Sequence, residues 1–198
     1  MISEERLNRQ IRFVKEIDRL KQIQRQTLLM DRSRQENSAE HSWHMAVMAI
    51  LLAETAGARN LDLLQVLKML LVHDIVEIDA GNTFCYDEDG RQDQHERENA
   101  AADRIFGMLP EDQAYGLRKL WEEFEARETP EAQFAAALDR LQPVLHNLFT
   151  KGLQWRVHGV KKAQVMTRNR RMEEGAPALW RYARARIEEA VNNGHLFP

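Results

Sequence analysis

Two neighbouring residues, His73 and Asp74, are the strongest candidates for chemistry in this sequence. They come directly after the apolar run at residues 66–72, which predicts that both side chains face a hydrophobic interior. Burying an imidazole and a carboxylate there costs free energy unless a bound group compensates, and a divalent metal ion would do so. His41 upstream and Asp139 downstream complete a set of two histidines and two aspartates that could share one ion.

Asp139 supports this interpretation because it is the single acid in the apolar stretch at residues 134–141. An acid in such a stretch is uncommon unless it has a partner. Two imidazoles and two carboxylates suit one divalent ion such as Mn²⁺, Co²⁺, Ni²⁺ or Mg²⁺, with positions left for water and substrate. Zn²⁺ stays among the candidates, although no pair of cysteines suggests a structural zinc site. The ordinary alternative is that each histidine packs or caps a helix, and spacing alone does not decide between the two.

Helical periodicity must supply the elements that position these residues, because strand-like alternation is nearly absent. The pattern predicts an all-α fold: a single domain over residues 1–198 with about seven or eight helices. The first helix is predicted over residues 3–24. Its apolar residues recur every three or four positions, which predicts one apolar face: Leu7, Ile11, Val14, Ile17, Leu20 and Ile23.

An irregular polar stretch is predicted from residue 31 to residue 37. Asn37, with Glu40 three residues later, predicts a capping box at the start of a second helix, or Ser38 caps it instead. That helix ends near Ala56, and a third helix over residues 61–79 carries the His-Asp pair. Further helices are predicted at residues 93–108, 111–126, 130–149, 160–171 and 177–193.

Composition limits the classes of partner and location. The chain has 198 residues and a net charge of −3, so it offers no basic field for a nucleic-acid polymer. No apolar run approaches the roughly 20 residues that cross a bilayer, so no membrane span is expected. The charged start of the chain has no signal-like apolar segment, and one cysteine, Cys85, forms no internal disulfide. We therefore expect a cytoplasmic protein that acts on a small molecule.

Three segments carry a pattern beyond their individual residues: Glu36-Asn37-Ser38-Ala39-Glu40-His41-Ser42-Trp43-His44, Leu71-Val72-His73-Asp74-Ile75-Val76-Glu77-Ile78 and Ala137-Leu138-Asp139-Arg140. Together they resemble the HD-domain superfamily of metal-dependent phosphohydrolases, in the branch of the bacterial 5′-deoxynucleotidases and HD domain-containing protein 2. The resemblance covers about residues 5–190. It implies a helical HD fold and a homodimer. It also implies a nucleoside 5′-monophosphate substrate, with a deoxynucleotide as the first expectation. One divalent metal would be held by His41, His73, Asp74 and Asp139.

The resemblance also assigns two residues around the phosphate. Glu77 matches an acid that the deoxynucleotidases use at the reacting phosphate, whereas by itself it would be a solvated acid near a helix end. Arg25 matches an arginine that contacts the substrate phosphate, a role that suits the planar fork of a guanidinium group. Without the family, Arg25 is a surface charge, and Arg32 and Arg34 compete for the same role.

One position departs from the family pattern. The family has Gly-Asp where this chain has Gly81-Asn82, and asparagine can hydrogen-bond a water molecule but cannot accept its proton at neutral pH. Glu77 or Asp79 then serves as the base, or the chain is a nucleotide-binding sensor with weak or no catalysis. A structural helical protein with an incidental metal is a third interpretation.

Two further histidines lie at helical spacing from the candidate ligands. His44 comes three residues after His41, and His146 comes seven residues after Asp139. Both are expected to contact the metal ligands or to pack in the core, rather than to bind the metal directly.

Overall fold

The computed structural model describes residues 2–87, 89–90 and 92–198, and it confirms the all-α class. One antiparallel hairpin, β1 (Gln24–Leu28) with β2 (Gln35–Asn37), is the only strand pair in these ranges. The helices are α1 (Glu4–Ile17), α2 (Ser38–Leu52), α3 (Leu63–Val72), α4 (Glu77–Ala80), α5 (Gln94–Phe106), α6 (Glu111–Ala126), α7 (Pro130–Phe149), α8 (Leu153–Val157), α9 (Lys162–Asn169), α10 (Met172–Gly175) and α11 (Pro177–Asn192).

Local capping signals set the starts of the helices that matter most for the site. The predicted capping box is confirmed: the Asn37 side chain accepts a hydrogen bond from the Glu40 N–H at 2.9 Å, and the Glu40 carboxylate accepts one from the Asn37 N–H at 3.2 Å. Helix α7 begins at Pro130 behind the cap Thr129, where the missing proline N–H costs nothing. The bounds of α6 and α7 agree with the predicted ranges.

Several predicted boundaries differ from the structure, since α1 ends at Ile17 rather than near residue 24 and α2 ends at Leu52 rather than near Ala56. Two further differences concern the site. The stretch expected to be irregular, residues 31–37, contains strand β2, which pairs with the preceding β1, and the hairpin turns through Arg32 in a left-handed conformation (φ 66°). The third helix is not continuous, because α3 ends at Val72 and a tighter 3₁₀ turn spans His73–Val76 before α4. Both changes occur beside the candidate ligands, where tertiary contacts outweigh local helical preference.

Buried apolar side chains form two clusters around helix α7 and around helix α5. The first packs α2, α3 and α11 against α7, with Phe134 and Leu138 fully buried. The second joins the end of α3 to α5 and α6, around Phe106 and Trp121. The helices that carry or directly precede the candidate ligands, α2, α3 and α7, are therefore held by a close-packed interior.

The apolar residues in and just after the first helix are divided between the surface and the interior. Leu7, Ile11 and Val14 are more than half exposed, whereas Phe13 and Leu20 are buried. None of the described helices combines the length and the apolar character that crossing a bilayer requires.

Candidate functional site

Three of the predicted ligands converge at one point in the interior. His41 lies in the first turn of α2, His73 follows α3, and Asp139 lies in the middle of α7. One ligand atom from each residue lies within 4.8 Å of those of the other two, so this group could hold a metal ion. His41 Nε2 is 3.2 Å from Asp139 Oδ1, and His41 has no exposed surface.

The orientation of His73 suits a metal ligand. Its Nδ1 donates a hydrogen bond to the Leu70 carbonyl at 3.0 Å, which leaves a lone pair on Nε2 directed into the cluster. That Nε2 atom is buried and, although Asp74 Oδ1 lies 2.9 Å away, it makes no hydrogen bond of suitable geometry in the described part of the chain. The ring packs against Phe124, with ring centroids 4.6 Å apart, and this contact fixes its position. An unsatisfied imidazole nitrogen beside carboxylates is therefore an observation that fits a bound cation.

Asp74 lies next to this group and also contacts Arg25. Its Oδ1 is 2.9 Å from His73 Nε2, and its Oδ2 is 4.0 Å from His41 Nε2. Burial works against ionisation of Asp74, but the charges of His73 and Arg25 lower its pKa to about 2. Asp74 is therefore ionised at neutral pH, and with Asp139 it gives two carboxylates beside two imidazoles. The donor set fits one divalent ion with mixed nitrogen and oxygen ligands.

Arg25 reaches this cluster from strand β1, an element that the sequence analysis did not predict. Its Nη1 donates a hydrogen bond to Asp74 Oδ2 at 2.9 Å and lies 3.8 Å from Glu77 Oε1. The side chain is 12% exposed, and its Nε is buried without a hydrogen-bond partner among the described residues. The other residues considered for the same role, Arg32 and Arg34, lie at the exposed tip of the hairpin.

Glu77 is the second buried acid at the edge of the cluster. Its Oε2 accepts a hydrogen bond from Ser38 Oγ at 2.5 Å, and its Oε1 accepts one from Asn82 Nδ2 at 2.7 Å. Burial and the negative charge of Asp74 raise the pKa of Glu77 to about 7, against the opposing effect of Arg25. A carboxylate with a pKa near neutrality is suited to exchange a proton with water.

The structure does not bring Asp79 into this group. Asp79 accepts hydrogen bonds from Arg104, one of them from Nη2 at 2.9 Å, and it lies 3.7 Å from Arg19. Two residues along a helix correspond to about 200° of rotation, so Asp79 faces away from the side that presents Glu77. Asn82, by contrast, contacts Glu77 directly.

The sequence analysis missed Glu36 as an individual functional candidate. It lies on strand β2, 1% exposed, with Oε2 3.6 Å from His41 Nδ1. Burial and the Arg25 charge oppose protonation of His41, but its contacts with Asp139 and Glu36 raise its pKa to about 9. A carboxylate behind a histidine ligand orients the ring, as is common around metal sites. The motif contained Glu36, but only the hairpin pairing shows which way its side chain points.

A hydrogen-bonded network lies behind Glu36. Gln142 Nε2 donates to Glu36 Oε1 at 2.5 Å and lies 2.9 Å from His146 Nε2. His146 Nδ1 donates to the Leu28 carbonyl at 2.7 Å, and His44 Nδ1 lies 3.5 Å from His146 Nε2. Glu36, His44 and His146 form a second group of possible ligand atoms. Their contacts agree with the expected supporting role of the two histidines.

A cavity of about 570 Å³ opens next to the ligand cluster, a volume in the range of small-molecule sites. Its lining includes Asp74, Glu77 and Arg25. Burial raises the pKa of two further lining acids, Glu98 and Glu125. Four arginines that had no role in the sequence analysis also line it: Arg127, Arg140, Arg168 and Arg171.

Comparison with known proteins gives one family and several named relatives. A family model described as HD domain matches residues 17–180. The 5′-deoxynucleotidase HDDC2 of Homo sapiens is 30% identical over 136 residues, which are 68% of this chain and 65% of that protein. The Xenopus laevis protein of the same name is 29% identical over 147 residues, 74% of this chain and 71% of its own length.

Two solved structures share the architecture. A predicted metal-dependent phosphohydrolase from Magnetospirillum magnetotacticum MS-1 is 56% identical, with a TM-score of 0.93 over 98% of this chain and 100% of that one. A conserved hypothetical protein from Pyrococcus furiosus is 22% identical, with a TM-score of 0.60 over 92% of this chain and 99% of that one, and it shows a similar fold only.

Proposed function

The chain belongs to the HD domain family, and on that premise we propose that it is a metal-dependent phosphomonoesterase that hydrolyses a deoxynucleoside 5′-monophosphate. The observation that carries the proposal is the convergence of His41, His73 and Asp139, with Asp74 beside them, at the edge of one cavity. The relatives named 5′-deoxynucleotidase support the substrate class.

The proposed roles follow from the contacts of each side chain. His41, His73, Asp74 and Asp139 would hold one divalent ion, which supplies Lewis acidity and neutralises phosphate charge when bound. Arg25 lines the cavity beside the ligand cluster, and its guanidinium donors can bind phosphate oxygens. Its hydrogen bond to Asp74 holds the guanidinium at the ligand cluster.

Glu77 is proposed as the group that accepts the proton of the attacking water. The water oxygen forms a bond to phosphorus, the bond from phosphorus to the 5′ oxygen breaks, and that oxygen leaves with the proton that Glu77 took from the water, delivered directly or through solvent. Ser38 and Asn82 each donate a hydrogen bond to Glu77, so its carboxylate is fixed in position before substrate binds. Asp79, which pairs with Arg104, is far less suited to the same role.

The direct test is phosphate release from a panel of nucleoside 5′-monophosphates by protein supplied with Mn²⁺, Co²⁺, Ni²⁺, Mg²⁺ or Zn²⁺. Release that requires metal supports the proposal, and elemental analysis of freshly purified protein identifies the ion. A rise in melting temperature with a nucleotide but no phosphate release would instead support a sensor, because a ligand that binds the folded state stabilises it.

The sensor remains the second candidate because of Asn82. Its amide donates a hydrogen bond to Glu77 Oε1 at 2.7 Å, where the family aspartate would place a second carboxylate. We expect Asn82→Asp to raise kcat, by less than the roughly 100-fold that a general base typically contributes, because Glu77 remains. Steady-state kinetics with the best nucleotide measure the change. An unchanged or lower kcat would show that residue 82 takes no part in proton transfer.

A homodimer is part of the proposal, and the exposed apolar residues of α1 and α2 support it. Leu7, Ile11 and Val14 form one face of α1, and Trp43 and Ile50 are exposed on α2. Apolar patches of this kind mark association surfaces, and a second copy of the chain is the occupant we propose. A cytoplasmic location completes the proposal and is supported by the single free Cys85.

Sedimentation velocity at micromolar concentration tests the homodimer. Ile11→Glu is expected to convert a dimer to a monomer, because it places a charge in the apolar face. Arg12→Glu, on the neighbouring exposed position of α1, introduces the same acid and should leave the dimer intact. A monomeric unmodified protein would contradict this part of the proposal.

A further inference from the structure

We propose that the substrate carries a second phosphoryl group, which binds to an arginine wall formed by Arg127, Arg140 and Arg168 in the same cavity as the metal cluster. This inference rests on the proposed function, since it extends the substrate from a nucleotide with one phosphate to a nucleotide with two. It concerns residues that have no part in the reaction at the 5′-phosphate.

The arginine wall lacks the ion pairs that other arginines of the chain have. Within residues 2–87, 89–90 and 92–198, no carboxylate oxygen lies within 4.0 Å of a guanidinium nitrogen of these three residues. Arg25 and Arg118, by contrast, each have a carboxylate at 2.9 Å or less. Three guanidinium groups in one cavity without acid partners form an arrangement that an anion would stabilise.

Burial makes this arrangement costly without a ligand. Arg140 is only 7% exposed, and its Nη1 donates a hydrogen bond to the Arg168 carbonyl at 3.2 Å rather than to an acid. The Nε of Arg127 is buried and has no hydrogen-bond partner in the described structure. A buried cation with no carboxylate in direct contact is unfavourable, and a doubly charged phosphate that accepts several hydrogen bonds would compensate for it.

Charge within the cavity is also separated. The negative charge of Asp74 acts on both Glu98 and Glu125, and Glu125 lies between the two regions, since the positive charge of Arg127 also acts on it. Arg140 instead has three arginines as charged neighbours, Arg127, Arg168 and Arg171, together with the adjacent Asp139. One region therefore suits a cation and the other suits an anion, within a cavity of about 570 Å³ that is large enough for a nucleotide.

A second phosphoryl group could be attached in two ways. It is either a phosphate ester on the 3′ oxygen of the sugar or the β-phosphate of a nucleoside 5′-diphosphate. Both present the same tetrahedral dianion to guanidinium groups, and the experiment distinguishes between them.

The binding test uses metal-free protein in the presence of a chelator, so that nothing is hydrolysed. Calorimetry compares the Kd of deoxyadenosine 3′,5′-bisphosphate, deoxyadenosine 5′-diphosphate and deoxyadenosine 5′-monophosphate. We expect at least one of the two doubly phosphorylated compounds to bind about tenfold more tightly than the monophosphate, the effect of one or two charge-assisted hydrogen bonds. Whichever compound shows the preference identifies the position of the second phosphate.

The variants Arg127→Gln and Arg168→Gln are each expected to remove the preference. In each variant the Kd of the monophosphate divided by the Kd of the preferred doubly phosphorylated compound should be close to one. Both are used because Arg140 is buried and its replacement could prevent folding. Arg170→Gln is the matched control, since Arg170 lies two residues from Arg168, is exposed and lies outside the cavity lining. It should leave the ratio unchanged.

Equal Kd values for all three compounds would overturn the inference, as would a preference that survives in both variants. Failure of the proposed function would give a different set of results. No compound would release phosphate with Mn²⁺ or the other ions, but the protein would still bind the doubly phosphorylated compound more tightly, and the variants would still lose that preference.

Discussion

Replacing Asp139 by asparagine is expected to remove the bound metal and the phosphatase activity together. The substitution keeps the size of the side chain but removes the negative charge that lies 3.2 Å from His41 Nε2. Loss of a residue that merely supports a metal ligand typically costs about 10–100-fold in metal affinity or activity, so loss of a ligand should cost at least about 100-fold. Elemental analysis and phosphate release on the same sample measure both effects.

Asp103→Asn is the matched control for this variant. The side chain of Asp103 is 77% exposed, and it pairs with Arg118 rather than with a residue of the ligand cluster. Its replacement should change neither metal content nor activity. An Asp139→Asn protein that folds, lacks metal and still releases phosphate at the original rate would refute the metal-dependent mechanism.

The pH dependence of metal affinity gives a second check on the same cluster. In the metal-free protein, burial and Arg25 oppose protonation of His41, yet Asp139 and Glu36 raise its pKa to about 9. The imidazole therefore holds a proton at neutral pH that a metal must displace. Metal affinity should rise as pH increases toward about 9, and it should fall by up to about tenfold for each pH unit below that value per displaced proton. Calorimetric titration with Mn²⁺ between pH 6 and pH 9 measures it.

Glu77→Gln is expected to lower kcat by about 10²–10⁴-fold while the metal stays bound. Glutamine keeps the contacts with Ser38 and Asn82 within reach but cannot accept a proton from water. In the metal-free protein burial and Asp74 raise the pKa of Glu77 to about 7, and a cation nearby lowers it again. Activity should therefore increase with pH as Glu77 loses its proton, with the midpoint of this limb at or below pH 7.

The pH profile separates a catalytic role from a structural one. In Glu77→Gln the acid limb assigned to this carboxylate should disappear from kcat/KM, which a loss of packing alone would not cause. Asp79→Asn provides the comparison, because Asp79 pairs with Arg104 and should affect stability more than turnover. If Asp79→Asn lost activity and Glu77→Gln kept it, the assignment of the base would pass to Asp79.

The sequence by itself determined the helical framework. Cap residues and apolar periodicity act between neighbours along the chain, so the capping box at Asn37 and the bounds of α6 and α7 could be predicted from local signals. The same holds for part of the ligand set, because a His-Asp pair after an apolar run and a single aspartate in another apolar stretch are visible without coordinates. That His41, His73 and Asp139 come together was a prediction that depended on the family resemblance, and the structure brings them within 4.8 Å.

Only the tertiary structure decided what surrounds those ligands. Hairpin β1–β2 brings Arg25 and Glu36 to the cluster, but its pairing depends on contacts with distant helices and left no periodic signal in a polar stretch. Asp79 lies outside the site, where it pairs with Arg104 of α5, a residue 25 positions away in sequence. In the arginine wall, Arg127 follows α6, Arg140 lies within α7 and Arg168 lies near the end of α9. Packing between elements far apart in sequence determines their proximity, and spacing along the chain does not record it.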